Sequence, residues 1–227
     1  MRVVDVNGRD EHRVRGVAET WVVSDRERRG DPPEAPVRVA EASLRPQLVL
    51  VPAPVAEIRA RMERHAVAGA PRVARIFPGP GGHGYPLVPW VLSPIPEVCE
   101  RDGWALAVDP GADGPYPWVE LVELARCYPG LPFVAVGAPF DDRTARAALD
   151  ATANLVLETS RVVDGGQRSV LAAAMRSAGP HRFVFGSAGT ARTTVPIRRG
   201  LSSSELEALL AGTADALGGG TWKATWM

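Results

Sequence analysis

Residues 104–136 read WALAVDPGADGPYPWVELVELARCYPGLPFVAV. An apolar run, Trp104 to Val108, leads through a glycine- and proline-rich turn into a helical segment, Trp118 to Tyr128, set between Pro117 and the pair Pro129 and Gly130. A second apolar run, Phe133 to Val136, follows. Short runs that are apolar without alternation mark strands covered on both faces, and a helix between two of them makes a parallel β–α–β unit. The pattern extends in both directions. Further strands are expected at Val3 to Val6, Thr20 to Val23, Leu48 to Val51, Val73 to Phe77, Leu155 to Leu157 and Phe183 to Phe185. Pro54 to Ala68 places Val55, Ile58, Met62 and Ala66 on one helical face, with Pro54 in the first turn and Gly69 at the end. Asp141 is positioned to cap a helix running toward Asp150, and Ser169 to Ala178 forms another before Gly179 and Pro180. Ser202 and Glu205 have capping-box spacing ahead of Leu206, Leu209 and Leu210.

Eight strands alternating with helices predict an α/β fold, a compact TIM-type (β/α)8 barrel over residues 1–218 with a tail at 219–227 that holds Trp222 and Trp226. The segment Arg9 to Gly16 is too short for an ordinary crossover helix, so the first crossover is abbreviated. Because such barrels usually need about 250 residues, an open doubly wound sheet is the alternative. Arg26 to Pro36, rich in charge and proline, reads as a loop.

Composition narrows the partners. At 45% hydrophobic residues the 227-residue chain is too apolar for disorder, and 26 basic against 26 acidic side chains lack the surplus of a nucleic-acid binder. Its single lysine is Lys223, so the positive charge is almost all arginine, the residue suited to carboxylates. No secretory leader or bilayer-spanning run is visible, which predicts a cytoplasmic protein with no membrane partner. Cys99 and Cys127 fall in separate helices and read as buried free thiols. His12, His65, His83 and His181 never form a short paired motif.

Four phrases, in order, carry a family resemblance. They are Val4-Asp5-Val6-Asn7-Gly8-Arg9, then Arg75-Ile76-Phe77-Pro78 with His83-Gly84-Tyr85-Pro86-Leu87, then Asn154-Leu155-Val156-Leu157-Glu158-Thr159-Ser160. The last is Gly179-Pro180-His181-Arg182-Phe183-Val184-Phe185-Gly186-Ser187-Ala188. From about residue 4 to residue 218 the chain resembles the amidohydrolase-related family, especially its small metal-dependent hydrolases and decarboxylases on TIM-type barrels. The resemblance implies a catalytic metal held by two histidines after the first strand, histidines after the fifth and sixth, and an aspartate after the eighth. The matching positions here are Asn7, Arg9, Asp109, Gly137 and Ala188. An arginine, a glycine and an alanine side chain cannot ligate zinc, so no metal and no other cofactor is expected.

What remains at the implied mouth of the barrel is polar. His83, in a glycine-rich turn, is the first acid/base candidate, since histidine exchanges protons near neutral pH. Asp109 is the second. Asn7, Arg9, Arg75 and Glu158 are the candidate substrate-binding residues, although Arg75 also suits an internal ion pair with Asp5 and Glu158 a loop cap. Two functional readings follow. The first is a metal-independent amidohydrolase-like enzyme or ligand-handling protein acting on a carboxylated or carbonyl-containing small molecule, with a specialised biosynthetic route as its expected setting. The second is a noncatalytic pseudoenzyme that stabilises or regulates a related protein, with a homo-oligomer also open.

Overall fold

The computed structural model describes residues 4–8, 18–23, 44–67, 69–111, 115–139, 143–161, 168–186 and 200–221. In chain order these form β1 (Val4–Gly8), β2 (Glu19–Val22), β3 (Leu44–Pro46), β4 (Leu48–Val49), α1 (Val55–Val67), β5 (Val73–Ile76), α2 (Pro89–Leu92), α3 (Pro94–Asp102), β6 (Ala105–Val108), α4 (Trp118–Cys127), β7 (Phe133–Ala135), α5 (Arg143–Ala151), β8 (Leu155–Glu158), α6 (Arg168–Ala178), β9 (Phe183–Val184), α7 (Ser203–Glu207) and α8 (Thr213–Gly218). A π-helical turn, Ala208–Gly212, joins the last two helices.

Every strand pair is parallel, and the strands neighbour one another in sequence order, β1 to β3 and β4 to β9. Only Gln47 separates β3 from β4, so one interrupted strand pairs with β2 through its first half and with β5 through its second. Among the described residues that makes eight staves. The first and last meet where the Val6 N–H donates to the Phe185 carbonyl at 3.0 Å. The fold is therefore the α/β TIM-type barrel, as expected, and the open-sheet alternative is set aside.

Alternation along the strands separates two cores. Ala74, Ile76, Leu106, Phe133, Leu155, Leu157 and Phe183 lie in the core that includes the buried faces of the helices. The opposite face brings together Val4, Val6, Val73, Ala105, Ala107, Val134, Val156 and Val184, mostly small side chains, with Trp21 among them. Arg75 and Glu158 sit on that inner face, because each lies two positions beyond an inner residue of its strand. The interior is thus a packed core, polar toward the carboxyl ends of the strands.

Several local expectations need revision. Leu44–Pro46 pairs with β2 although Arg45 and Pro46 disguise it as loop, while Val51 lies beyond the β4 pairing. Residues 89–102 form two helices started by Pro89 and Pro94 and ended at Gly103, whose φ of 70° needs glycine. Cys99 is buried as expected, but Cys127 is exposed. The capping box of Ser202 and Glu205 forms as read. Asp141, the crossover segment 9–16, the loop 26–36 and the tryptophans at 222 and 226 lie outside the described residues. Among the described residues no helix is long and apolar enough to cross a membrane.

The seam between β9 and β1 is irregular. Phe185 donates its N–H not to β1 but to the Leu209 carbonyl inside the π-helical turn, at 3.0 Å. Ala211, Ala214 and Leu217 of the same helical segment join the inner core with Val4 and Trp21.

His65 in α1 makes a pH prediction. Burial holds its imidazole down to about pKa 4, against the pull of a hydrogen bond to the Pro46 carbonyl, and its ring lies 5.8 Å from Trp104. The folded state keeps this histidine neutral, while the unfolded chain protonates it near its ordinary pKa of 6.5. Stability should therefore fall as pH drops from 6.5 toward 4, by roughly 3 kcal/mol from this group. Urea unfolding of the wild type and His65→Leu at pH 7 and pH 4.5 checks it: the wild type should lose more than the variant. Equal losses would remove His65 as the source.

Candidate functional site

The inner polar groups form a connected set at the carboxyl ends of β4 to β8. Arg75, on β5, is fully buried, and its Nη2 donates to Asp109 Oδ2 at 2.5 Å. Its Nη1 donates to Gln47 Oε1 at 3.3 Å, and Gln47 Nε2 in turn donates to the Val6 carbonyl at 2.8 Å. The guanidinium carbon stands 5.4 Å from the centre of the Phe77 ring. Arg75 is thereby fixed from three sides. Asp109 follows β6 directly and is anchored by a second contact, the Gly111 N–H on Oδ1 at 3.1 Å.

Glu158, the last residue of β8, is held differently. Its Oε2 accepts the Gly137 N–H at 3.0 Å and the Ser160 hydroxyl at 2.8 Å, while Oε1 accepts the Ser160 N–H. A Cβ at Gly186 would collide with this carboxylate, so glycine there is what lets Glu158 lie across the end of β9. Gly137, at the position the resemblance assigns to a histidine, instead donates its backbone N–H to Glu158, with φ of 63°.

His83 lies in the turn after β5. Its backbone N–H donates to the Phe77 carbonyl at 2.7 Å, and its ring is 5.4 Å from Phe77 and 6.2 Å from Tyr85. Phe77 thus stands between His83 and Arg75. Among the candidate residues the structure gathers Arg75, Asp109 and His83 into one contiguous group. Asn7 is in β1, where the register with β2 slips between Asp5 and Gly8, and Arg9 and Ala188 lie outside the described residues.

Three contributors escape a reading of the sequence alone: Gln47, Ser160 and Tyr116. The Tyr116 hydroxyl donates to the Val108 carbonyl at 3.2 Å, and its ring packs 4.5 Å from Trp118. Burial foremost, then the charges of Asp109 and Glu158, hold its phenol well above the ordinary value, so it stays protonated and can donate. The available signals were weak ones: a glutamine beside an apolar run, a tyrosine between two prolines, and a serine two residues after a strand-end glutamate.

The metal implied by the resemblance does not fit these side chains. Asp109 is engaged by Arg75 and Gly111, and Glu158 by Gly137 and Ser160. Among the described residues no three His, Cys, Asp or Glu side chains converge as a metal site. What the arrangement does offer is a buried, pre-positioned cation and a nearby imidazole.

No protein-family model and no curated protein matches the chain in sequence. Solved structures do match in shape. A TIM-barrel protein from Bordetella bronchiseptica superposes with a TM-score of 0.68 at 16% identity, over 91% of this chain and 79% of that one. The 5-carboxyvanillate decarboxylase LigW of Sphingomonas paucimobilis gives 0.61 at 14% identity, over 89% and 79%. A probable 2-pyrone-4,6-dicarboxylic acid hydrolase of Acinetobacter baumannii, with citric acid bound, gives 0.57 at 11% identity, over 96% and 100%. At these identities the likeness is one of fold: the chain is built on the TIM-type barrel that these structures share.

Proposed function

We propose that this chain is an amidohydrolase-like enzyme or ligand-handling protein for a carboxylated or carbonyl-containing small molecule, working without a divalent metal at the strand ends. The observation that carries the reading is the buried Arg75 guanidinium at the carboxyl end of β5, with Asp109 beside it and His83 one ring away. In barrels of this type the chemistry gathers at that end. Two structural neighbours are named for carboxylated compounds, which favours the same ligand class. In this reading arginine orients the anion, His83 exchanges the proton, and Asp109 supports charge movement, with Asn7 and Arg9 as further polar contacts.

A panel of aromatic and pyrone carboxylates, screened with wild type, His83→Ala and Arg9→Ala, tests it. We expect chelator-resistant turnover that falls at least about 100-fold in His83→Ala, the usual range for loss of a general acid or base. Unchanged turnover in both variants would remove these roles, and loss of turnover on chelation, with one metal per chain, would overturn the metal-independent reading.

A second reading is favoured by the saturation of Asp109 and Glu158 by partners within the chain, together with Trp90, which is 80% exposed. It is a noncatalytic partner of a related protein. Copurification from the native host tests it, and autonomous turnover by the isolated chain would defeat it.

A further inference from the structure

We infer that Arg75 is the carboxylate receptor of this barrel and that Asp109 is its internal placeholder, displaced when a ligand carboxylate takes the same guanidinium edge. The inference deepens the proposed function and rests on its premise that the ligand carries a carboxylate. Arg75 is a fixed receptor: Gln47 holds one end of its guanidinium, the Val6 carbonyl holds Gln47, and Phe77 stands 5.4 Å from the guanidinium carbon. A planar donor already in place forms its bonds to a carboxylate with little further ordering. A carboxylate already sits on its Nη2 edge, that of Asp109.

Asp109 has the features of an exchangeable partner. Its side chain is 13% exposed against 1% for Arg75, so the ion pair meets solvent on the Asp109 side. Its other oxygen accepts the Gly111 N–H, a local bond that stays available if the carboxylate leaves Arg75. Glu158 is not interchangeable with it, because Gly137 and Ser160 hold that carboxylate over Gly186. The ligand class that fits is a small carboxylate entering with its anionic group first.

Chemical rescue tests this without requiring turnover. Asp109→Ala deletes the placeholder's carboxylate and keeps Arg75; formate has the size and charge of what was removed. Formate should raise the Tm of Asp109→Ala saturably, by about 5 °C or more, while matched chloride should not. Wild type and the double variant Arg75→Met with Asp109→Ala should not respond. If Asp109→Ala is recovered unfolded, refolding in formate should restore its native circular dichroism. Indifference of Asp109→Ala to formate in both assays, or an equal response from the double variant, would overturn the inference. Rescue without turnover on any carboxylate would leave this receptor standing and remove the enzymatic reading. Turnover without rescue would place the receptor elsewhere.

Discussion

Arg75→Met is expected to destabilise the fold by about 3–5 kcal/mol, the usual cost of removing one partner from a buried ion pair. Methionine matches the length and apolar stem of the arginine, so little of this loss is a packing defect. The cost arises because Asp109, mostly buried, loses the guanidinium that neutralises it, and Gln47 Oε1 loses its Arg75 donor. Adding Asp109→Asn should recover a substantial part, since two neutral groups carry no uncompensated charge. Urea unfolding of the four members of this cycle measures the coupling directly. A single-variant loss under about 1 kcal/mol would mean that the pair is solvated and of the ordinary surface kind.

Arg182→Met should be comparably damaging, at roughly 3–5 kcal/mol, although Arg182 has no place in the proposed site. Its buried guanidinium donates to three carbonyls, from Leu155 at 2.6 Å, Thr152 at 2.7 Å and Leu149 at 3.2 Å. Two of these acceptors lie at the carboxyl end of α5, where carbonyls lack helical partners and a cation is favoured. Burial lowers the Arg182 pKa to about 10, so the charge persists at neutral pH. Lysine cannot reach three divergent acceptors with one ammonium, and Arg182→Lys should restore less than half of the loss. Full restoration by lysine, read from thermal or urea unfolding, would show that charge alone matters there. Asn154 plays the neighbouring role for α4, its amide serving the carbonyls of Ala125, Tyr128 and Leu131.

The barrel was legible because its strands are buried on both faces. Runs such as Ala105–Val108 and Leu155–Leu157 have no competing local explanation. Leu44–Pro46 was not, because it pairs with β2 by backbone bonds that side-chain character hardly reveals, and Arg45 and Pro46 argue locally for a loop. Arg75 was conspicuous as a charge inside an apolar run, and Asp109 as the first polar residue after one. Gln47 and Tyr116 were silent for a different reason. Their roles exist only once strands 28 residues apart place Gln47 against Arg75, or once the β6–α4 turn folds Tyr116 back onto the Val108 carbonyl. Glu158 reads in the sequence as a loop cap as well as a substrate contact, and its bonds to Ser160 and Gly137 are of the capping kind.

The bond from Phe185 to the Leu209 carbonyl bears on synthesis at the ribosome. When β9 has just emerged, its outer edge has no strand ahead of it to join. It must wait for a helical turn more than twenty residues downstream, as well as for the first strand to be brought around. During that interval the nascent barrel is an unfinished sheet with an open edge, the condition in which chains pair with their neighbours. Arrest-peptide force profiles should accordingly register barrel completion only after the π-helical turn has cleared the exit tunnel, not after the eighth stave. Slowing translation across 187–208 would prolong the exposed stage and raise the demand on chaperones.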